Sequence, residues 1–118
     1  MAVLWTAFII YALTKEPSGL PRYKWFAIQG VDKLIHFLIF FIEAVFIALA
    51  KPIKPSFYGA LATILFCSVL GGALELVQYY YVDGRSGDTI DWLADTLGAV
   101  VGVLILWVIR EKNTISVE

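Results

Sequence analysis

The sequence predicts an all-α membrane protein, a polytopic helical bundle of about four transmembrane helices with a short first helix. Three observations carry that prediction. The 118 residues are 60% hydrophobic and only 16% charged, with a mean hydropathy of +0.80, against roughly 25% charged residues in soluble domains. The apolar residues fall into four runs separated by polar, proline- or glycine-bearing stretches. The few polar residues inside those runs recur at helical spacing. Length favours one domain, residues 1–118, with its informative motifs between 32 and 102.

The first run, "MAVLWTAFIIYAL", covers about 20 Å as a helix, short of a hydrocarbon core of about 30 Å. It lacks the basic flank and small-residue cleavage site of a signal peptide, so it reads as a short anchor helix. The second, "KLIHFLIFFIEAVFIALA" (33–50), and the third, "FYGALATILFCSVLGGALELVQYYY" (57–81), are long enough to span, and the fourth runs from about Ile90 to Ile109. "KPIKPS" (51–56), with two prolines, joins the second and third as a tight hairpin, and "VDGRSGD" (82–88) joins the third and fourth. The longest connection, 14–31, carries Tyr23, Trp25 and Phe26 and reads as an interfacial segment. Tyr79, Tyr80, Tyr81 and Trp92 at one edge, and Tyr58 and Trp107 at the other, read as two aromatic belts.

Net charge is -1, which excludes the basic field of a nucleic-acid binder or a polybasic lipid-binding surface. The lone Cys67 has no disulfide partner and reads as a small core residue. Four spans put both termini and the 51–56 loop on one side, with Lys51, Lys54, Arg110 and Lys112. Lys15, Arg22 and Lys24 lie opposite once Lys33 and Arg85 are assigned to a site. Four cations against three favour cytoplasmic termini in the inner (cytoplasmic) cell membrane.

Helical spacing gathers the polar residues. Asp32, His36 and Glu43 share a stripe of the second span, Gly71, Glu75 and Gln78 one of the third, and Asp91, Asp95, Gly98 and Gly102 one of the fourth. The second and fourth spans both open on an aspartate followed one turn later by a polar group. His36, Glu75 and Asp95 lie about 5, 9 and 8 Å inside the ends of their helices, ends that face the same side of the membrane. A charge at the bilayer centre costs about 2.5–3.5 kcal/mol. Unpaired, these carboxylates would offset much of a domain's stability. Pairing with Lys33, His36 or Arg85, protonation, or a wet cavity relieves that cost, and each requires the stripes to face one another. A shared polar pocket is therefore expected, open to the 14–31 and 82–88 side.

Plainer roles compete for single residues. Gly98 and Gly102 form a GxxxG suited to close helix packing, and Gly71-Gly72 reads the same way. Asp88 is an N-cap for the fourth span. Gln78 divides between interhelical glue and ligand contact, and Glu43 between a protonated hydrogen-bonding carboxyl and function.

The segments "DKLIHFLIFF" (32–41), "GGALELVQ" (71–78) and "GRSGDTIDWLADTLGAVVG" (84–102) resemble the VanZ-like family of small bacterial membrane proteins. Its pattern is D-K-x-x-H-F, then G-x-x-x-E-x-x-Q, then G-R-x-x-D-x-x-D-x-x-A-N-x-x-G-x-x-x-G. Asp32, Lys33, His36, Phe37, Glu75, Gln78, Arg85, Asp88, Asp91, Ala94, Gly98 and Gly102 match it. Asp95 departs by replacing the usual Asn, and Glu43 stands where an apolar or small residue is usual. The resemblance implies an association with glycopeptide (teicoplanin) resistance and the cell envelope, and supplies no reaction.

Three functions remain in view. In a binding module, Lys33 and Arg85 hold an anionic headgroup of an envelope lipid or lipid-linked precursor. Asp32, His36, Glu75, Gln78, Asp88, Asp91 and Asp95 complete the ligand-binding set, with Glu75, Gln78 and Asp91 meeting sugar or amide groups. In a structural protein the charges lock helices, and function lies with partners. In an intramembrane enzyme, His36, Glu75 and Asp91 are the acid–base candidates and Arg85 steadies developing charge. Ser86 is the nearby hydroxyl, with nothing to orient it. A metal-assisted variant would use His36, Glu75, Asp91 and Asp95, but their spacing matches no metal motif, so no metal ligand is assigned. Cofactor, enzymatic status and oligomeric state stay open.

Overall fold

A computed structural model describes residues 1–15, 30–51, 56–83 and 87–117. The described residues are all helical apart from turns and caps: α1 (Ala2–Thr14), α2 (Val31–Leu49), α3 (Phe57–Tyr81) and α4 (Thr89–Val117). The interfacial segment with Tyr23, Trp25 and Phe26 lies outside the described residues, as do most of the 51–56 hairpin and Arg85 and Ser86 of the 82–88 loop.

Each helix begins where its sequence stops competing with helix. Gly30 takes the left-handed conformation (φ 95°) before α2, a backbone state glycine adopts without strain. Ser56 caps α3 by accepting a hydrogen bond from the Gly59 amide, and Asp88 caps α4 by accepting one from the Ile90 amide at 2.9 Å. The apolar part of α4 was expected to end near Ile109, yet the helix continues to Val117. Residues 110–117 contain no proline or glycine to stop it, and their side chains are exposed apart from a half-buried Arg110.

Among the described residues, α3 and α4 are long and apolar enough to cross a membrane. Only 28% of the most apolar stretch of either helix is buried within the molecule. That separates them from core helices of a soluble domain, whose apolar residues are covered by protein. Leu65, Phe66, Val69, Leu76, Leu97, Leu104 and Ile105 all face outward. The 19 residues of α2 reach about 28 Å, but Asp32, Lys33 and Glu43 interrupt its apolar character. The 13 residues of α1 remain short.

α2 and α4 form the closest pair and run parallel. A Cβ on Gly98 would lie 2.1 Å from the Phe37 carbonyl oxygen, and one on Gly102 would lie 2.8 Å from that of Phe41. The GxxxG thus brings the α4 backbone onto α2. α3 covers this pair, and α1 rests on α2 and α3. Ile9, Leu13, Phe40, Ala44, Cys67, Leu74, Ala99 and Val103 form the apolar core between them.

Candidate functional site

The parallel pairing of α2 with α4 sets Lys33 beside Asp91 and His36 beside Asp95, while the last turns of α3 bring Glu75 to the same level. Lys33 Nζ donates to Asp88 Oδ2 at 3.1 Å and to Asp91 Oδ1 at 3.0 Å. His36 is buried at the centre. Its Nδ1 lies 2.8 Å from Asp95 Oδ1 and 3.8 Å from Glu75 Oε1, and its Nε2 lies 3.9 Å from Asp91 Oδ2. Asp32 is exposed at the rim, with a carboxylate oxygen within 4.8 Å of the nearby His36 and Asp91 ligand atoms.

Glu75 also ties two helices together, since its Oε2 accepts the Asp88 backbone N–H at 2.8 Å. The carboxyl of Asp88 is held below the usual carboxylate range, first by the Ile90 N–H and then by Lys33. Gly71 makes room for Asp95, whose Oδ2 would be 2.7 Å from a Cβ there. Two buried oxygens of this cluster, Glu75 Oε1 and Asp95 Oδ2, have no hydrogen-bond partner among the described residues. Buried carboxylate oxygens left in that state carry a desolvation penalty.

The other sequence-predicted residues are used differently. Gln78 is buried, and its Nε2 donates to the Leu13 carbonyl at 2.7 Å, fastening α1. Glu43 is fully buried and accepts a hydrogen bond from Thr6 of α1, and its other oxygen has no hydrogen-bond partner among the described residues. Trp92, expected in an aromatic belt, turns its Nε1–H to the Ser68 carbonyl at 2.9 Å and lies against Gly72. Tyr79, Tyr80 and Tyr81 are exposed, as a belt requires. Sequence reasoning missed Trp5, whose Nε1 donates to the Ile39 carbonyl, and Thr6. The signal for Thr6 was a hydroxyl inside an otherwise apolar α1.

At the opposite end of the bundle, a cavity of ≈ 270 Å³ is lined by Lys51, Thr63, Trp107 and Arg110 among others. Lys51 Nζ donates there to the Gly59 carbonyl at 2.7 Å and to Thr63 Oγ1 at 2.6 Å. The molecule therefore has an acidic, histidine-centred end and a basic end, separated by the apolar core.

No curated protein and no solved structure matches the chain. A family model described as VanZ/LLP1 matches residues 2–110, a stretch that holds α1 and every residue of the acidic cluster. The chain belongs to the VanZ/LLP1 family.

Proposed function

We infer that the chain is a multi-pass protein of the inner (cytoplasmic) cell membrane whose His36 cluster receives the polar headgroup of an envelope lipid or lipid-linked precursor. The observation carrying this reading is a pair of buried oxygens, Glu75 Oε1 and Asp95 Oδ2, that find no hydrogen-bond partner among the described residues, in a cluster contributed by three helices. Charges that served only to lock helices would be expected to satisfy one another, as buried polar groups generally do. The family's association with teicoplanin resistance supports an envelope ligand.

The charges refine the ligand. Lys33 is already paired with two carboxylates, so it has little left to offer a phosphate. Arg85, which lies outside the described residues, carries the guanidinium suited to bidentate phosphate contact. Asp32, Glu75 and Asp95 suit hydroxyl or amine groups beside that phosphate. Gln78, tied to Leu13, belongs with the helix contacts.

A helix-locking role for the whole cluster is the competing reading, favoured by analogy with the Gln78–Leu13 and Thr6–Glu43 hydrogen bonds that fasten α1 outside it. Native mass spectrometry of detergent-purified protein separates the two. Headgroup binding predicts a co-purified lipid that is lost from folded Arg85→Ala and equally from Arg85→Lys, which cannot make the bidentate contact. An empty wild type, with Glu75→Ala failing to fold, would instead assign the cluster to helix locking.

A further inference from the structure

We propose that the Nδ1 edge of His36, with Glu75 and Asp95, is a binding site for a divalent transition-metal cation such as Zn²⁺ or Mn²⁺. This rests on the reading of the cluster as a ligand pocket and names the inorganic part of that pocket.

His36 has carboxylates at both edges of its ring. Asp32 and Asp91 approach one edge, Glu75 and Asp95 the other, and in each set the ligand atoms lie within 4.8 Å of one another. The two edges differ in what remains unsatisfied. On the Nε2 side, Asp91 is paired with Lys33 and Asp32 is exposed. On the Nδ1 side all three residues are buried, and both carboxylates keep an oxygen with no hydrogen-bond partner among the described residues. Glu75 Oε1 points at the ring from 3.8 Å.

Distances and charge agree with a cation. Donors at about 2.0–2.2 Å from such an ion stand about 2.8–3.1 Å apart at adjacent octahedral positions and about 3.3–3.6 Å apart in tetrahedral geometry. The observed 2.8 Å from His36 Nδ1 to Asp95 Oδ1 stands at the short end of those separations, and the 3.8 Å to Glu75 Oε1 lies just beyond the long end. Two carboxylates and a neutral imidazole carry a charge of -2, which a divalent ion cancels. A neutral set is what a buried, membrane-level site needs. Binding displaces the proton shared between Nδ1 and Asp95, so protons are released as the ion enters. Asp91, facing Nε2, is placed to orient the other edge of the ring. A mixed imidazole and carboxylate set selects Zn²⁺ or Mn²⁺ over Mg²⁺, which prefers oxygen donors and retained waters. An ion at this level would also reverse the sign of the pocket toward a phosphate.

The chain has a single histidine, which makes the test sharp. Protein without a histidine tag is stripped with chelator, loaded with Mn²⁺ or Zn²⁺ alone and desalted. The expected result is one retained equivalent by elemental analysis. Pulsed EPR of the Mn²⁺ form should show a nitrogen coupling that changes when only histidine is ¹⁵N-labelled. Asp95→Asn and Glu75→Gln should each weaken retention at least tenfold, while Glu43→Gln, a buried carboxylate outside the cluster, leaves it unchanged. No stoichiometric retention, or bound Mn²⁺ without the histidine coupling, overturns the proposal. The coupling is read on wild type and does not depend on variants folding. Lipid counted in the chelated protein keeps the two readings apart. Lipid retained by protein that binds no metal leaves headgroup binding standing alone, and metal without lipid does the reverse.

Discussion

His36 and Asp88 divide the work at the acidic end. His36 is the hub, with three carboxylates from two helices within 4 Å of its ring nitrogens. Asp88 is the clamp: one oxygen caps α4 through Ile90, the other takes Lys33, and its own N–H goes to Glu75. The cap needs only an acceptor, whereas the ion pair needs charge. Asp88→Asn, which keeps an acceptor, should lower thermal stability in detergent less than Asp88→Ala, which removes cap and ion pair together. The sign with pH follows from the lowered pKa of Asp88. A depressed carboxylate contributes fully above its unfolded pKa of about 3.9 and loses that contribution as pH falls through the folded value. The gap between wild type and Asp88→Ala should therefore hold from pH 8 to 5 and narrow only below about pH 4. A gap that shrinks near neutrality would mean that another group carries the effect.

Between elements, the α2–α4 contact positions the site, and Gly98 sets its distance. A Cβ there would lie 2.1 Å from the Phe37 oxygen, 3.0 Å from its carbonyl carbon and 3.1 Å from the Phe41 nitrogen. All three are backbone atoms, so no side chain can turn aside and the helices must part. Gly98→Ala should cost about 1–3 kcal/mol, as overpacking does, and should draw His36 away from Asp95. Gly59→Ala, whose nearest contact would be an ordinary 3.6 Å, is the control and should change little in the same unfolding measurement. This level of structure was largely legible in the sequence. The bounds of α3 coincide with the apolar run 57–81, and equal depth in three helices foretold that His36, Glu75 and Asp95 meet. Hydropathy could not mark the end of α4, because it reports the membrane and not the helix. It was equally silent on Gln78 and Lys33. Their partners depend on how each helix is rotated, and on where α1 lies, which a nearly uniform apolar segment does not encode.

Across the whole molecule, α4 with its 29 residues reaches about 44 Å and exceeds a hydrocarbon core of about 30 Å, because it carries exposed Glu111 and Lys112 past its apolar part. Lys51 and Arg110 mark the end where α2 finishes and α3 starts. The acidic cluster marks the end where α2 starts and α3 finishes. If the positive-inside rule governs, the basic end faces the cytoplasm and the pocket opens toward the envelope, where a lipid-linked precursor would be displayed. Single cysteines test this directly, because native Cys67 is fully buried and hidden from an impermeant maleimide. Four crossings predict that Asp83→Cys is labelled from outside intact cells, while Ala2→Cys, Ser56→Cys and Ser116→Cys react only after lysis. Labelling of Ala2→Cys together with Asp83→Cys would mean that α1 stops short of crossing, as its 13 residues allow. A fully reversed pattern would turn the pocket toward the cytoplasm, and its headgroup would then have to come from the inner leaflet.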